Sequence, residues 1–447
     1  MGRTAKAALM ALLCGWGASA AGAQAPGGWV GGAPYQTRVV VGADGGTYVG
    51  IWVQAPQMPV ARARAPMAVS LVIDTSGSMA GDKIENARMA ASSLLETLSD
   101  GDVVSLYAFS DGVVELAPPT VLSAASRSLM MQRVRALAAM GGTNMWDGMQ
   151  IAVRRMSEAP PSHPLRRVFL ISDGRANVGP SDPASLGALA ARATEWGTQV
   201  TAIGVGTDYD QTTLTAMAVQ SAGRLYHLGQ PYEMASILQN ELQLLSRSVA
   251  LNAYLEVEPA PGVLILEGLT MGTTLDHGRL RMPLGAVFAG QQREVLLRAR
   301  VDTARLGSRP LATARLVYQT PGEQAGQQTQ SATLAYEVVR DASAAAQSSA
   351  PRVVAMVADF EATQTQREAA AMLARGENAR AAQALQAGQH RLQVQAAAAP
   401  PAAAARMSTR AQALGQASQQ AGAATTAAEQ RARSYEFEDS AVEASGY

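Results

Sequence analysis

The stretch Ser70–Met79, reading SLVIDTSGSM, constrains the fold more than any other part of the chain. An apolar run stops abruptly at a carboxylate followed by hydroxyls. A continuous Leu/Val/Ile run bounded by turn residues suits a strand buried on both faces of a parallel sheet. The C-terminal end of such a strand is where ligands bind in open α/β folds. Asp74, Ser76 and Ser78 alternate, so in an extended or gently turning loop their side chains can converge on one point. All offer hard oxygens, a set that suits Mg²⁺, Ca²⁺ or Mn²⁺ rather than zinc or copper.

More oxygens lie downstream. Gly141-Gly142-Thr143-Asn144 is a Gly-rich loop entering a helix, and Thr143 supplies a hydroxyl. Val168–Gly174 is another buried strand, ending in the carboxylate of Asp173. Taken singly, each piece is equally a capped turn. Together, D-x-S-x-S, then Thr, then Asp, each at a strand end, resemble the metal-ion-dependent adhesion site (MIDAS) of the von Willebrand factor type A (VWA) domain. The resemblance covers residues 68–245 and implies a doubly wound α/β domain with a mostly parallel sheet. It implies that Ser76, Ser78 and Thr143 meet the metal through hydroxyls, and that Asp74 and Asp173 hold coordinated waters as often as the ion. Mg²⁺, or Mn²⁺ or Ca²⁺, is the implied cofactor.

The rest of the chain reads as follows. Residues 1–25 resemble a cleavable signal peptide, with basic Arg3 and Lys6, the short apolar stretch Ala7–Gly17, and small-x-small sites at Ala21-Gly22-Ala23 and Ala23-Gln24-Ala25. The only cysteine, Cys14, falls inside it. The mature chain is therefore expected to have no disulfide, and to be secreted or periplasmic with no transmembrane segment after the signal. Residues 26–35 are Gly/Pro-rich and expected to be flexible. Residues 36–67 hold strand-like Thr37–Val41 and Thr47–Val53 around a Gly/Asp turn, expected as a hairpin that joins a later sheet. Residues 68–245 alternate strand and helix signals. The clearest helix follows Asp82 and Glu85, which fit a capping box. Tyr232–Leu245 closes this part, with Met234, Ile237, Leu238, Leu242 and Leu245 at helical spacing. Residues 246–340 carry short alternating strands, expected as a β-sandwich into which the α/β domain is inserted. A linker at 341–350, a helical hairpin at 351–395 broken at Gly376, and an Ala/Gln-rich tail at 396–447, acidic and loose from Tyr435, complete the reading.

The 36 Lys and Arg balance 36 Asp and Glu, so charge offers no case for nucleic acid or an anionic membrane. Asp82 lies where some relatives carry an adjacent second metal site, although the capping box accounts for it. Arg175 could select an acidic ligand or be a solvated loop charge. His163, His227, His277 and His390 show no metal-ligand spacing. No nucleophile elbow, phosphate loop or dinucleotide fingerprint occurs, and no enzymatic activity is expected. The leading expectation is an exported binding module, for adhesion or scaffolding, that grips a carboxylate of a protein partner through the cation. Alternatives are an accessory regulator of a membrane channel or transporter, since the Asp74 strand looks like that of calcium-activated chloride-channel accessory proteins, and a metal-dependent hydrolase.

Overall fold

The computed structural model describes residues 23–24, 28–57, 65–206, 209–228, 233–321 and 326–444. The expected signal segment lies outside them except for Ala23 and Gln24, as do residues 58–64. The chain opens with strands β1 (Ala23–Gln24), β2 (Val30–Pro34), β3 (Arg38–Val40) and β4 (Gly46–Gln54). An α/β unit follows: β5 (Met67–Asp74), α1 (Asp82–Thr97), β6 (Val103–Phe109), β7 (Val113–Val121), α2 (Ala124–Arg135), α3 (Met145–Ser157), β8 (Leu165–Ser172), α4 (Pro183–Ala193), β9 (Thr198–Val205), α5 (Gln211–Gln220), β10 (Arg224–Leu228) and α6 (Glu233–Ser246).

The α/β class expected from the alternation is observed. The sheet order is β10-β9-β8-β5-β6-β7, parallel except for β7. Successive residues of β5 serve opposite faces. Met67, Val69, Leu71 and Ile73 pack with α1, α2 and the end of α6, while Ala68 and Val72 pack with α3, α4 and α5. From β5 the chain first builds outward through β6 and β7, then crosses to β8 on the other side. The order therefore reverses between β5 and β8, and a crevice opens beyond their carboxyl ends. Strand β7 is not evident in the sequence, because Pro118 and Pro119 speak against a strand. As an edge strand it tolerates them. The capping box at α1 does not form: Gly81 is the N-cap, Asp82 is exposed, and Glu85 pairs with Arg88 instead.

Residues after α6 add β11 (Ser248–Pro259), β12 (Leu264–Gly268), β13 (Thr274–Asp276), β14 (Arg279–Phe288), β15 (Gln292–Arg300), β16 (Gly307–Gln319) and β17 (Gln327–Val339). They join the opening strands in two facing sheets, β1-β2-β4-β15-β12 and β13-β14-β11-β16-β17-β3. Val49, Ile51 and Val295 of one meet Leu255, Leu316 and Leu334 of the other in a shared core. The hairpin expected at 36–67 is not made. β3 pairs in parallel with β17, and β4 pairs with β15 and β2, so the two strands enter different sheets. The stretch expected to be flexible holds β2, all five of whose residues are buried. Its glycines suit a close approach: a Cβ on Gly32 would lie 2.6 Å from Leu334. Strand β14 was hidden by Pro283 and by Gly285, whose φ of 67° accompanies register shifts against β11. Both connections to the α/β unit are pinned to one turn. Gln291 accepts from Ala55, Gly290 donates to Pro56, and Ala289 donates to Arg247.

The short helix α7 (Ala342–Ala346) lies in the expected linker, and α8 (Pro351–Ala374), α9 (Asn378–Ala398), α10 (Pro401–Ala423) and α11 (Ala427–Ala444) follow. Val353 and Met356 of α8 pack on Trp52 and Leu296 of the sandwich. Glu294 of β15 binds Arg352 at 2.8 Å and Arg406 at 2.6 Å, and Arg406 also pairs with Asp359. The tail is not loose at Tyr435. That residue lies in α11, and its ring stacks on Tyr209 of the α/β unit at 5.4 Å.

One buried tie within the α/β unit is ionic. Glu241 of α6 and Arg167 of β8 are 1% and 3% exposed and 3.3 Å apart. Tyr226 donates to the same carboxylate at 2.7 Å, Thr201 at 3.4 Å, and Arg224 stands at 3.8 Å. Arg167→Met removes one partner of a buried pair and should cost about 3–5 kcal/mol in urea unfolding. The double variant Arg167→Met, Glu241→Leu should recover most of that loss. A single-variant loss below about 1 kcal/mol would contradict this account.

Candidate metal centre

Asp74 ends β5 and Asp173 follows β8, so the register of two hydrogen-bonded central strands sets the two carboxylates side by side at the switch point. Neither residue has any exposed surface. Oδ1 of Asp74 accepts from the backbone N–H of Ser76 at 2.8 Å, and Oδ2 accepts from the Ser172 hydroxyl at 2.6 Å. The same hydroxyl accepts from the N–H of Gly174 at 2.8 Å, which ties one carboxylate's support to the loop carrying the other. Burial pushes the Asp74 carboxyl up to about 6. The bonds from Ser172 and Ser76 pull it down by less, and the charge on Asp173 adds to the rise.

The serine loop settles the question of a simple capped turn in part. Asp74 does brace the turn through Ser76 N–H. Ser76, the N-cap of the short 3-10 turn Gly77–Met79, makes no side-chain cap bond. Its hydroxyl instead meets the Ser78 hydroxyl at 3.0 Å. Ser76 is buried and Ser78 is exposed, so the pair runs from the interior to the surface.

Thr143 is brought to the same end of the sheet by backbone bonds. Gly77 donates to Gly141 O at 2.9 Å and Met140 donates to Thr75 O at 2.8 Å. Thr143 N–H donates to the side chain of Asn177 at 2.7 Å, and its carbonyl accepts from Asn177 N–H at 3.1 Å. The loop is thereby fixed between the serine loop and the loop after Asp173. The glycines permit this approach: Gly141 has φ of 77°, and a Cβ on Gly142 would lie 2.8 Å from Asp111 and 2.9 Å from Val178.

Asp173 is the most informative side chain. Its Oδ2 takes an ammonium, Lys83 Nζ, at 3.1 Å. Its Oδ1 is buried and has no hydrogen-bond partner among the described residues. A buried, unpaired carboxylate oxygen is costly unless something positive meets it. Hydroxyls with carboxylates are the donor chemistry of a hard divalent cation, so the residues present fit one. Among the described residues no group of three or more His, Cys, Asp or Glu comes together. A cation held here would therefore depend on the hydroxyls as well as the carboxylates. Sequence reasoning missed Lys83, Ser172, Asn177 and Asp111. Ser172 could have been suspected from its place beside Asp173 at a strand end. Of the weaker candidates, Asp82 is exposed, His163 bonds Gly101 O at the surface, and His227 stacks on Tyr209.

These features define a class, and the comparisons agree with it. Residues 69–240 match the model of the von Willebrand factor type A domain, and this part of the chain is a domain of that family. An uncharacterized protein of Synechocystis is 26% identical over 270 residues, 58% of this chain and 63% of that one. Inter-alpha-trypsin inhibitor heavy chain H3 of Mesocricetus auratus is 30% identical over 177 residues, 38% of this chain and 19% of that one. The chain thus spans less than two thirds of the length of these curated relatives. Among solved structures, a von Willebrand factor type A protein from Catenulispora acidiphila superposes with a TM-score of 0.64 at 18% identity, covering 82% of this chain and 88% of that one. The ArnB paralog VWA2 from Sulfolobus acidocaldarius gives 0.59 at 16% identity, covering 93% and 98%. At these identities the likeness is one of fold, and it extends well beyond the VWA domain.

Ser172→Ala tests how the centre is supported. It removes the donor to Asp74 and orphans the Gly174 N–H, both buried. The expected loss is about 1–3 kcal/mol in denaturant unfolding with chelator present. No measurable loss would mean that Ser172 does not support the Asp74 carboxylate.

Proposed function

We propose that the chain is an exported, metal-dependent protein-binding module. Asp74, Ser76, Ser78, Thr143 and Asp173 would hold a divalent cation, Mg²⁺ or alternatively Mn²⁺ or Ca²⁺, at the switch point of the VWA sheet. The observation that carries this reading is Oδ1 of Asp173, buried at the end of a central strand and without a hydrogen-bond partner among the described residues. Bound there, the cation supplies an electrophilic position that a carboxylate of a partner protein can occupy in place of water. The chain's own part is to hold the donors: β5 and β8 fix the carboxylates, Ser172 and Ser76 orient Asp74, and Asn177 fixes the Thr143 loop. This describes binding and asks for no catalytic residue. Adhesion or scaffolding is the role such a grip suits. Regulation of a channel or transporter, and metal-dependent hydrolysis, draw on no further contact in the site.

Metal binding, partner release, circular dichroism and N-terminal sequencing test the reading. Calorimetry should find one Mg²⁺ or Mn²⁺ site that Asp173→Asn and Asp74→Ala each abolish, with equal binding by variants and wild type counting against it. The sheet is built by packing, so chelation should release an acidic-protein partner captured from cell-surface extract and leave far-UV circular dichroism unchanged. Loss of the spectrum on chelation would make the ion structural instead. Export rests on the sequence of residues 1–25. N-terminal sequencing of the exported protein should begin at Gln24 or Pro26, and a start at Met1 would contradict cleavage.

A further inference from the structure

We propose that Lys83 determines which divalent cation the centre accepts. This rests on the reading of the site as a cation site and deepens it. Lys83 stands in the first turn of α1, which enters directly from the serine loop. Its ammonium lies 3.1 Å from Asp173 Oδ2, with 20% of the Lys83 side chain exposed and none of Asp173. Oδ1 of the same carboxylate has no hydrogen-bond partner among the described residues. The carboxylate is therefore divided: one oxygen is committed to a tethered cation, and the other is left for a second positive group.

That division has a chemical consequence. Ca²⁺ takes six to eight oxygens in a flexible shell and uses carboxylates with both oxygens, whereas Mg²⁺ demands a near-octahedral shell, keeps waters and takes one or two carboxylates. With Oδ2 held by Lys83, Asp173 offers a single oxygen, which removes the two-oxygen grip that the larger ion gains from. The ammonium also offsets one of the two buried carboxylate charges, Asp74 and Asp173. A bound divalent ion then keeps more of its positive charge for an anionic ligand. A compact ammonium with several donors suits this task, since it holds one oxygen as a point charge without a planar fork that would claim both.

The test compares Mg²⁺ and Ca²⁺ titrated separately into the full chain by calorimetry, for wild type, Lys83→Gln and the nearly isosteric Lys83→Met. The wild type should bind Mg²⁺ more tightly than Ca²⁺. In both variants the ratio of affinities should move toward Ca²⁺ by roughly tenfold or more as Asp173 gains a second free oxygen. Lys83→Arg, whose planar fork can claim both oxygens, should not move the ratio toward Ca²⁺. Melting curves in each metal give a second readout, with Ca²⁺ raising the melting temperature of Lys83→Gln more than that of wild type. If the two affinities change in parallel, Lys83 acts only as bulk charge and the inference falls while the metal reading stands. If the variants lose stability and keep the wild-type ratio, Lys83 only neutralises a buried carboxylate, and the inference again falls. A wild type that binds neither ion overturns the metal reading itself.

Discussion

The structure depends on two carboxylates without solvent at the ends of adjacent central strands. Asp74 and Asp173 are both fully buried, and a buried charge must be met by donors or by opposite charge. Asp74 is met by Ser76 N–H and the Ser172 hydroxyl. Asp173 is met on one side by Lys83. The geometry of the surrounding loops follows from these demands. Ser172 reaches Asp74 across the β5–β8 pair and also receives Gly174, so the two strand ends cannot shift independently.

Reading outward, the glycine loop carrying Thr143 is sewn to both strand ends by backbone bonds. The loop after Asp173 is sewn to α5, where Asp210 N–H donates to Asp173 O at 2.8 Å. Tyr209, beside it, is covered by Tyr435 of α11, whose hydroxyl donates to Tyr209 O at 3.1 Å. The C-terminal helices thus reach back to the VWA domain, while Glu294, Arg352 and Arg406 hold them to the sandwich.

Which parts of this were legible in the sequence follows from how far each interaction reaches along the chain. The buried parallel strands announce themselves as unbroken apolar runs, as in Leu71-Val72-Ile73 and Val168–Ile171, because both faces are covered. The α/β class followed from them. Local signals failed wherever a partner lies far away. The Asp82 and Glu85 pattern suggested a cap, yet Gly81 with φ of 76° took that position. Lys83 carries no local signal of its role, since its partner Asp173 is 90 residues on. Strand β2 is Gly- and Pro-rich and reads as loose chain until β4 and β17 close on it. Tyr435 reads as part of a polar tail until it meets Tyr209, 226 residues earlier.

The insertion gives the frame a timetable. Trp29 N–H donates to the Gln330 side chain, 301 residues later. At a synthesis rate of ~5–20 residues per second, about 15–60 s pass between the two. For most of that interval β2 and β4 hold out Val30, Ile51 and Val53 with neither β15 nor β17 to cover them, whereas every strand of the VWA sheet is complete by Leu228. Contacts of such separation form slowly. The VWA domain can therefore close before the sandwich, whose two sheets must wait for β15 to β17.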